Sequence, residues 1–192
     1  MPSRAFTHWK GARLPELDQI EAHHRHVGGG GRGRRWVTQQ LNDAYVLLLA
    51  AHFQGFCRDL HSEACDHVAR SVRPATAQAV VKASLTHKRR LDLGNAQPES
   101  LKEDFGRFGI DLWNDLQAQN KRNDSRRRQL GDPDGLNAWR NAIIHQDFQK
   151  VGGKRPTLKA ARKWRNACEQ LAQQFDDRVR RAVQGSVGSS PW

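Results

Sequence analysis

The chain has 192 residues, 37% of them hydrophobic, enough for one domain with a real core. Its 32 basic residues against 20 acidic ones leave a formal charge of +12, which points to a polyanionic partner, nucleic acid first, or else to a solvated basic surface. No apolar run approaches the roughly 20 residues of a membrane span, and no apolar stretch follows Met1 as a secretory signal would. Three cysteines, Cys57, Cys65 and Cys168, stand in no metal-ligand spacing and suit free thiols in a reducing cytoplasm.

Residues 1–36 read as a basic, Gly-rich extension: "LPELDQIEAHHRHV" allows a short helix, and "GGGGRGRR" (28–35) reads as a flexible linker. His23, His24 and His26 sit beside that linker, as part of a basic arm or as a metal cluster lacking a further fixed ligand. The domain proper is expected over 37–184. A long helix starts near Thr38, with Leu41, Tyr45, Leu48, His52, Phe56, Leu60 and Val68 at spacings of three or four, and Pro74 ends or kinks it. "ATAQAVVKASLTHKRRLDLG" (75–94) reads as a second helix stopped by Gly94. Pro98 opens a third, and Asp111 is placed to cap a fourth, "DLWNDLQAQNK".

The polar stretch "KRNDSRRR" (121–128) and the turn signal "GDPDG" (131–135) separate these from "LNAWRNAIIHQDFQK" (136–150). Thr157 then caps a last long helix with a stripe of Leu158, Ala161, Trp164, Cys168, Leu171, Phe175 and Val179, and 185–192 reads as a flexible tail. Strand-length alternation is missing. The expected fold is all-α, a bundle of four to five main helices.

The chemistry concentrates on the 136–150 helix. At about 100° per residue, with Arg140 at zero, Asn141 lies near 100° and His145 near 140°, while Leu136, Trp139 and Ile143 fall at about 320°, 260° and 300°. One face is apolar and the other polar, interrupted by Ile144 near about 40°. Histidine moves protons near neutral pH, and arginine stays charged and holds phosphate through paired hydrogen bonds. Asparagine can orient an imidazole or bond a phosphate oxygen. The Arg-x-x-x-x-His spacing alone does not decide the matter, since a chain this rich in both residues holds about one by chance.

The string "RNAIIHQDF" resembles the Arg-x(4–6)-His signature of the HEPN superfamily (higher eukaryote and prokaryote nucleotide-binding), where a polar residue, often Asn, follows the Arg. "YVLLLAAHFQGFCRDLHSEA" (45–64) is similar to the long early helix of the RiboL-PSP group within it. The resemblance covers roughly 38–183. It implies a HEPN-like helical bundle whose motif helices pair across a homodimer, with Arg140 and His145 catalytic and Asn141 supporting. Many such proteins are metal-independent endoribonucleases of toxin–antitoxin or defence systems; others bind nucleotides or partner proteins without cutting. One departure concerns shape: the group's motif often continues His-Gly, whereas here it runs His145-Gln146-Asp147.

Arg122, Arg126, Arg127 and Arg128 form a cluster that either binds RNA phosphates or only faces water. His52, His61 and His67, on the first long helix, read as partly buried or surface residues, with a place for one of them in the lining of the cleft as the alternative. Asp147 pairs with His145 or, as the plainer reading, faces water. No phosphate loop, dinucleotide fingerprint or zinc pattern occurs, and no cofactor is expected. The expected function is a cytoplasmic, dimeric endoribonuclease with RNA as substrate and an antitoxin as a further protein partner. The alternative is a non-catalytic module binding RNA, nucleotide or protein. A DNA-binding repressor fits less well, for want of a clear helix-turn-helix.

Overall fold

A computed structural model describes residues 1–27 and 35–192, without the side chain of Arg35. Among the described residues the chain is all-α. The helices are α1 (Arg4–His8), α2 (Leu14–Val27), α3 (Arg35–Ser71), α4 (Gln78–Thr86) and α5 (Arg90–Leu93). They continue with α6 (Pro98–Gly106), α7 (Leu112–Gln119), α8 (Arg122–Gly131), α9 (Leu136–His145) and α10 (Leu158–Val187). A π-helical turn, Trp9–Arg13, joins α1 to α2. No described helix is long and apolar enough to cross a membrane. The pieces outnumber the four to five main helices expected because several short helices connect two long ones, α3 and α10.

The core lies between α3 and α10. In α3 the fully buried stripe is Tyr45, Leu49, Phe53, Phe56, Leu60 and Ala64, while Leu48, His52 and Val68, expected at its centre, are half-buried flanks. The helical period is as expected and the face is rotated slightly. In α10, Ala161, Trp164, Cys168, Leu171, Phe175 and Val179 are buried as expected, and the Thr157 hydroxyl accepts from Ala160 N at 3.2 Å to cap the helix. Phe175 contacts Phe53, Phe105 and Trp113, with ring centroids 5.7–6.1 Å apart.

Residues 1–27 are not a free extension. Trp9 and Leu17 are fully buried, and Trp9 meets Phe53 and Phe56 at 6.0 and 5.7 Å between centroids. Glu63 on α3 accepts from the first backbone N–H groups of α1, Arg4 N at 3.0 Å and Ala5 N at 2.7 Å. Arg165 on α10 reaches Asp18 at 2.6 Å, and Tyr45 donates to Glu21 at 2.9 Å, so α2 is tied to both long helices. His23 Nδ1 meets Gln19 O at 2.7 Å, and among the described residues no histidine–cysteine–carboxylate group is placed to hold a metal. The linker expected at 28–35 lies, apart from Arg35, outside the described residues. The 185–192 segment is not a loose tail either: α10 continues to Val187, Gly188 (φ 76°) stops it, and His67 Nε2 meets Ser189 Oγ at 3.1 Å.

Three further differences shape the site. The 75–94 segment is broken at His87–Arg89, because buried Asp104 accepts from Arg90 N at 3.0 Å and Leu91 N at 2.8 Å and starts α5 there. The "KRNDSRRR" stretch is a helix, α8, rather than a separator. Only Asn123 and Leu130 of it are buried, too few to give a period. Asp111 precedes α7 but makes no cap bond, its carboxylate accepting from Asn114 Nδ2 at 2.7 Å instead.

Candidate active site

The motif helix α9 is anchored from below. Leu136, Ala142 and Ile143 are buried, and Trp139 packs on Trp164 of α10 at 6.1 Å between centroids. Its start is held by Asn137, a buried amide whose Nδ2 donates to Ala96 O and Leu130 O, each at 3.0 Å. That single side chain joins the 95–97 loop, the end of α8 and the first turn of α9. Gly135 precedes the helix, where a Cβ would meet the carbonyl oxygens of Arg128, Gln129 and Asp132 at 3.0 Å, so a larger residue fits only if that backbone gives by a few tenths of an ångström.

Asn137, Asn141 and His145 recur every four residues and so form a ladder up one side of α9. The lowest rung is buried, the second half-buried and the third exposed. Asn141 Oδ1 accepts twice, from Asn95 Nδ2 at 2.9 Å and from Arg140 Nη1 at 3.0 Å. With its oxygen so engaged, the amide nitrogen has no partner among the described residues and keeps its donors free. Asn141 and His145 together line a pocket of about 330 Å³, whose other walls include Gln97, Gly131, Pro133 and Lys150.

α9 ends in a left-handed residue. Gln146 has φ 54°, ψ 28°, and this turn lets Asp147 N donate to Ala142 O at 3.0 Å. Gln146 therefore takes the conformation glycine favours there, and its own Nε2 donates to Ile143 O at 2.6 Å. The shape after the histidine, left open by the sequence, is a left-handed helix stop made without glycine. Asp147 turns to Lys150 at 2.9 Å, not to His145.

The seven expected site residues are not all in one place. His145 and Asn141 share the pocket, and Arg140 is half-buried and reaches it through Asn141. Arg128 lines an adjoining cleft of about 250 Å³ with Lys163, and Asp132 borders both spaces. Arg126 and Arg122 lie along α8 at about 8 and 14 Å from Gly131, its pocket end, at about 1.5 Å per residue. Arg127 and Arg128 share Asp124 at 3.6 and 3.4 Å. Arg122 and Arg126 have no carboxylate partner among the described residues. Burial and then the neighbouring Arg122 push the Arg126 guanidinium below its usual range, as two like charges on one face do.

Asn95, Asn137, Gln97 and Lys150 belong to the site and were not expected from sequence. The four-residue ladder was a usable signal for Asn137, while Asn95 and Lys150 arrive from other elements.

The described helices form an all-α bundle in which the end of α9 carries Arg140, Asn141 and His145 beside a pocket. The chain belongs to the RiboL-PSP-HEPN family, whose model matches residues 16–180. The match starts inside α2, in keeping with the packing of that helix into the domain. No curated protein and no solved structure matches the chain.

Proposed function

We propose that this chain is a metal-independent endoribonuclease, acting as a toxin or defence effector that a protein antitoxin holds in check. The observation that carries the reading is the placement of His145 and Asn141 in the lining of one pocket together with a cation, Lys150. In the reaction the RNA 2′-hydroxyl loses its proton, O2′ bonds to phosphorus, the P–O5′ bond breaks and O5′ takes a proton. His145 performs one of these two proton transfers, and the second copy of the motif in a homodimer performs the other. Asn141 donates to a phosphoryl oxygen, and the spare donors of Arg140, with Lys150, offset the charge that develops there. The products are a 2′,3′-cyclic phosphate and a 5′-hydroxyl.

Ile144 supports the dimer: it is 47% exposed on the motif helix, where an apolar side chain is easier to explain at an interface than in water. The test is purified protein with total RNA in excess chelator, wild type beside His145→Ala. The expected outcome is cleavage by the wild type alone, blocked by 2′-O-methylation at the cut site. Cleavage that needs a divalent ion, or that survives in His145→Ala, would overturn the mechanism.

One observation favours the second reading, a non-catalytic binding module: Arg140 gives a hydrogen bond to Asn141 and does not itself line the pocket. Tight binding of RNA with no cleavage of any RNA would establish that alternative.

A further inference from the structure

A second cleft of about 470 Å³ opens on the other side of the end of α9, lined by Trp36, Gln39, Gln40, Asp43, Gln146 and Arg155. Gln146 directly follows His145, so the cleft begins one residue from the motif. Trp36, in the first turn of α3, is 69% exposed and forms no part of the core. A large aromatic face open beside a polar cleft is available to stack on a flat ligand.

The walls are already fixed. Asp43 accepts from Gln39 Nε2 at 3.0 Å and from Arg155 Nη1 at 2.7 Å, and Gln39 Nε2 also reaches Pro156 O at 3.1 Å. The Arg155 guanidinium lies 3.9 Å over the Phe148 ring, which holds it in plane. Asp43 also neutralises Arg155, so the cleft is not built for an anion. What stays unpartnered among the described residues is an indole face, the whole Gln40 amide, and the Oε1 atoms of Gln39 and Gln146. A flat π-face and an edge of mixed donors and acceptors would satisfy that set, and the volume is in the range of small-molecule sites.

We infer that this cleft is a nucleobase subsite, in which Trp36 stacks on a base beside the scissile phosphate and the glutamine amides read its edge. The inference rests on the RNA-cutting reading for its place next to His145, but base binding can be measured by itself. RNA would then run from the His145 pocket past Gln146 at the end of α9, with its phosphates on one side and one base held on the other.

The test uses the full chain with each of the four nucleoside 5′-monophosphates, and ribose 5-phosphate as the control without a base. Tryptophan emission should be quenched by the nucleotides and not by the control. Trp36→Ala should remove that quench and weaken nucleotide binding about 5- to 150-fold, the range that base–aromatic stacking supplies. Trp36→Phe should keep most of the affinity, and Gln40→Ala should change the ranking of the four bases. Equal binding of ribose 5-phosphate, or unchanged binding by Trp36→Ala, would overturn the subsite. So would sedimentation in which Trp36→Ala turns a dimer into a monomer, because the indole would then be covered by a second copy. RNA cleavage with the same base preference in Trp36→Ala removes the subsite and leaves the nuclease standing. Nucleotide binding through Trp36 by a chain that cuts no RNA removes the nuclease and leaves the subsite.

Discussion

Asn95 Nδ2 donates to Asn141 Oδ1 at 2.9 Å, so a loop 46 residues upstream fixes which way the amide beside His145 faces. Arg140 supports the same oxygen from within α9. The pair occupies the Asn141 oxygen and leaves its nitrogen without a partner among the described residues, as the proposed donation to a phosphoryl oxygen requires.

Asn95→Ala removes one of these two supports and touches no reacting group. On the proposed nuclease reading, RNA cleavage should fall about tenfold to a hundredfold, mainly in kcat, as expected when a side chain assigned to the reacting phosphate is loosened by a fraction of an ångström. Thermal unfolding should change little, because Asn95 is half-buried and no core residue loses a contact. An unchanged kcat would mean that Arg140 alone orients the amide.

The all-α fold, the α3–α10 pair and the polar face of α9 were legible in the sequence, because each repeats its apolar positions at helical spacing over several turns. The N-terminal segment was not, for a physical reason. Phe6, Trp9, Leu14 and Leu17 are all buried, but the step of five from Trp9 to Leu14 breaks the helical period. The π turn over Trp9–Arg13 absorbs the extra residue and returns Leu14 to the face of Trp9. α8 was hidden by its composition: arginine favours helices but leaves no apolar stripe to read. Within the site, Asn141 and His145 were visible as an i, i+4 pair. The roles of Asn95 and Lys150 depend on contacts between distant elements, which no local pattern encodes.

The two halves of the α8 arginine cluster should behave differently toward RNA. Arg122 and Arg126 have no acidic partner among the described residues, whereas Arg127 and Arg128 share Asp124. Each phosphate contact on a single strand contributes a slope of about −0.7 to log affinity against log salt. Replacing Arg122 and Arg126 by Ala should therefore flatten the slope by about 1.4 and weaken all sequences alike. Replacing Arg127 and Arg128 should flatten it less. Equal effects from the two pairs would show that Asp124 does not compete with RNA for its arginines.

Gln146 holds a left-handed backbone at φ 54°, a conformation that costs a side-chain-bearing residue about 1 kcal/mol relative to glycine. Its Nε2 bond to Ile143 O recovers part of that at a partly exposed position. Gln146→Gly should thus stabilise the fold slightly, by about 0.5 kcal/mol, or a rise of roughly 1–2 °C in Tm for a chain of this size. A clear fall in Tm would mean that the Gln146 side-chain bond outweighs the backbone cost.

His61 sets a different dependence, on pH. It is fully buried, with Nε2 3.1 Å from Asp104 O and Nδ1 3.4 Å from Cys65 Sγ, and its ring lies against Phe105 and Phe108. Burial first, and then the Arg89 guanidinium, lower its pKa from the ordinary 6.5 to about 4; Arg107 acts in the same direction, and Asp92 and the Asp104 carbonyl oppose them. The folded chain therefore keeps His61 neutral in a range where the unfolded chain protonates it. Stability from this source is complete above pH 6.5, declines as the pH falls below that value, and is lost by about pH 4, where the folded form also takes up the proton. The full loss is about 3 kcal/mol, from a shift of roughly two and a half units at 1.36 kcal/mol each. Chemical denaturation between pH 4 and 7 should show the decline, and the His61 ring proton in NMR should not titrate above about pH 5. His61→Gln, which keeps a donor for Asp104 O, should flatten the pH dependence even if it lowers stability at pH 7. A His61 resonance that titrates near pH 6.5 would mean that water reaches the ring and that its burial between α3 and α6 is less complete than the packing indicates.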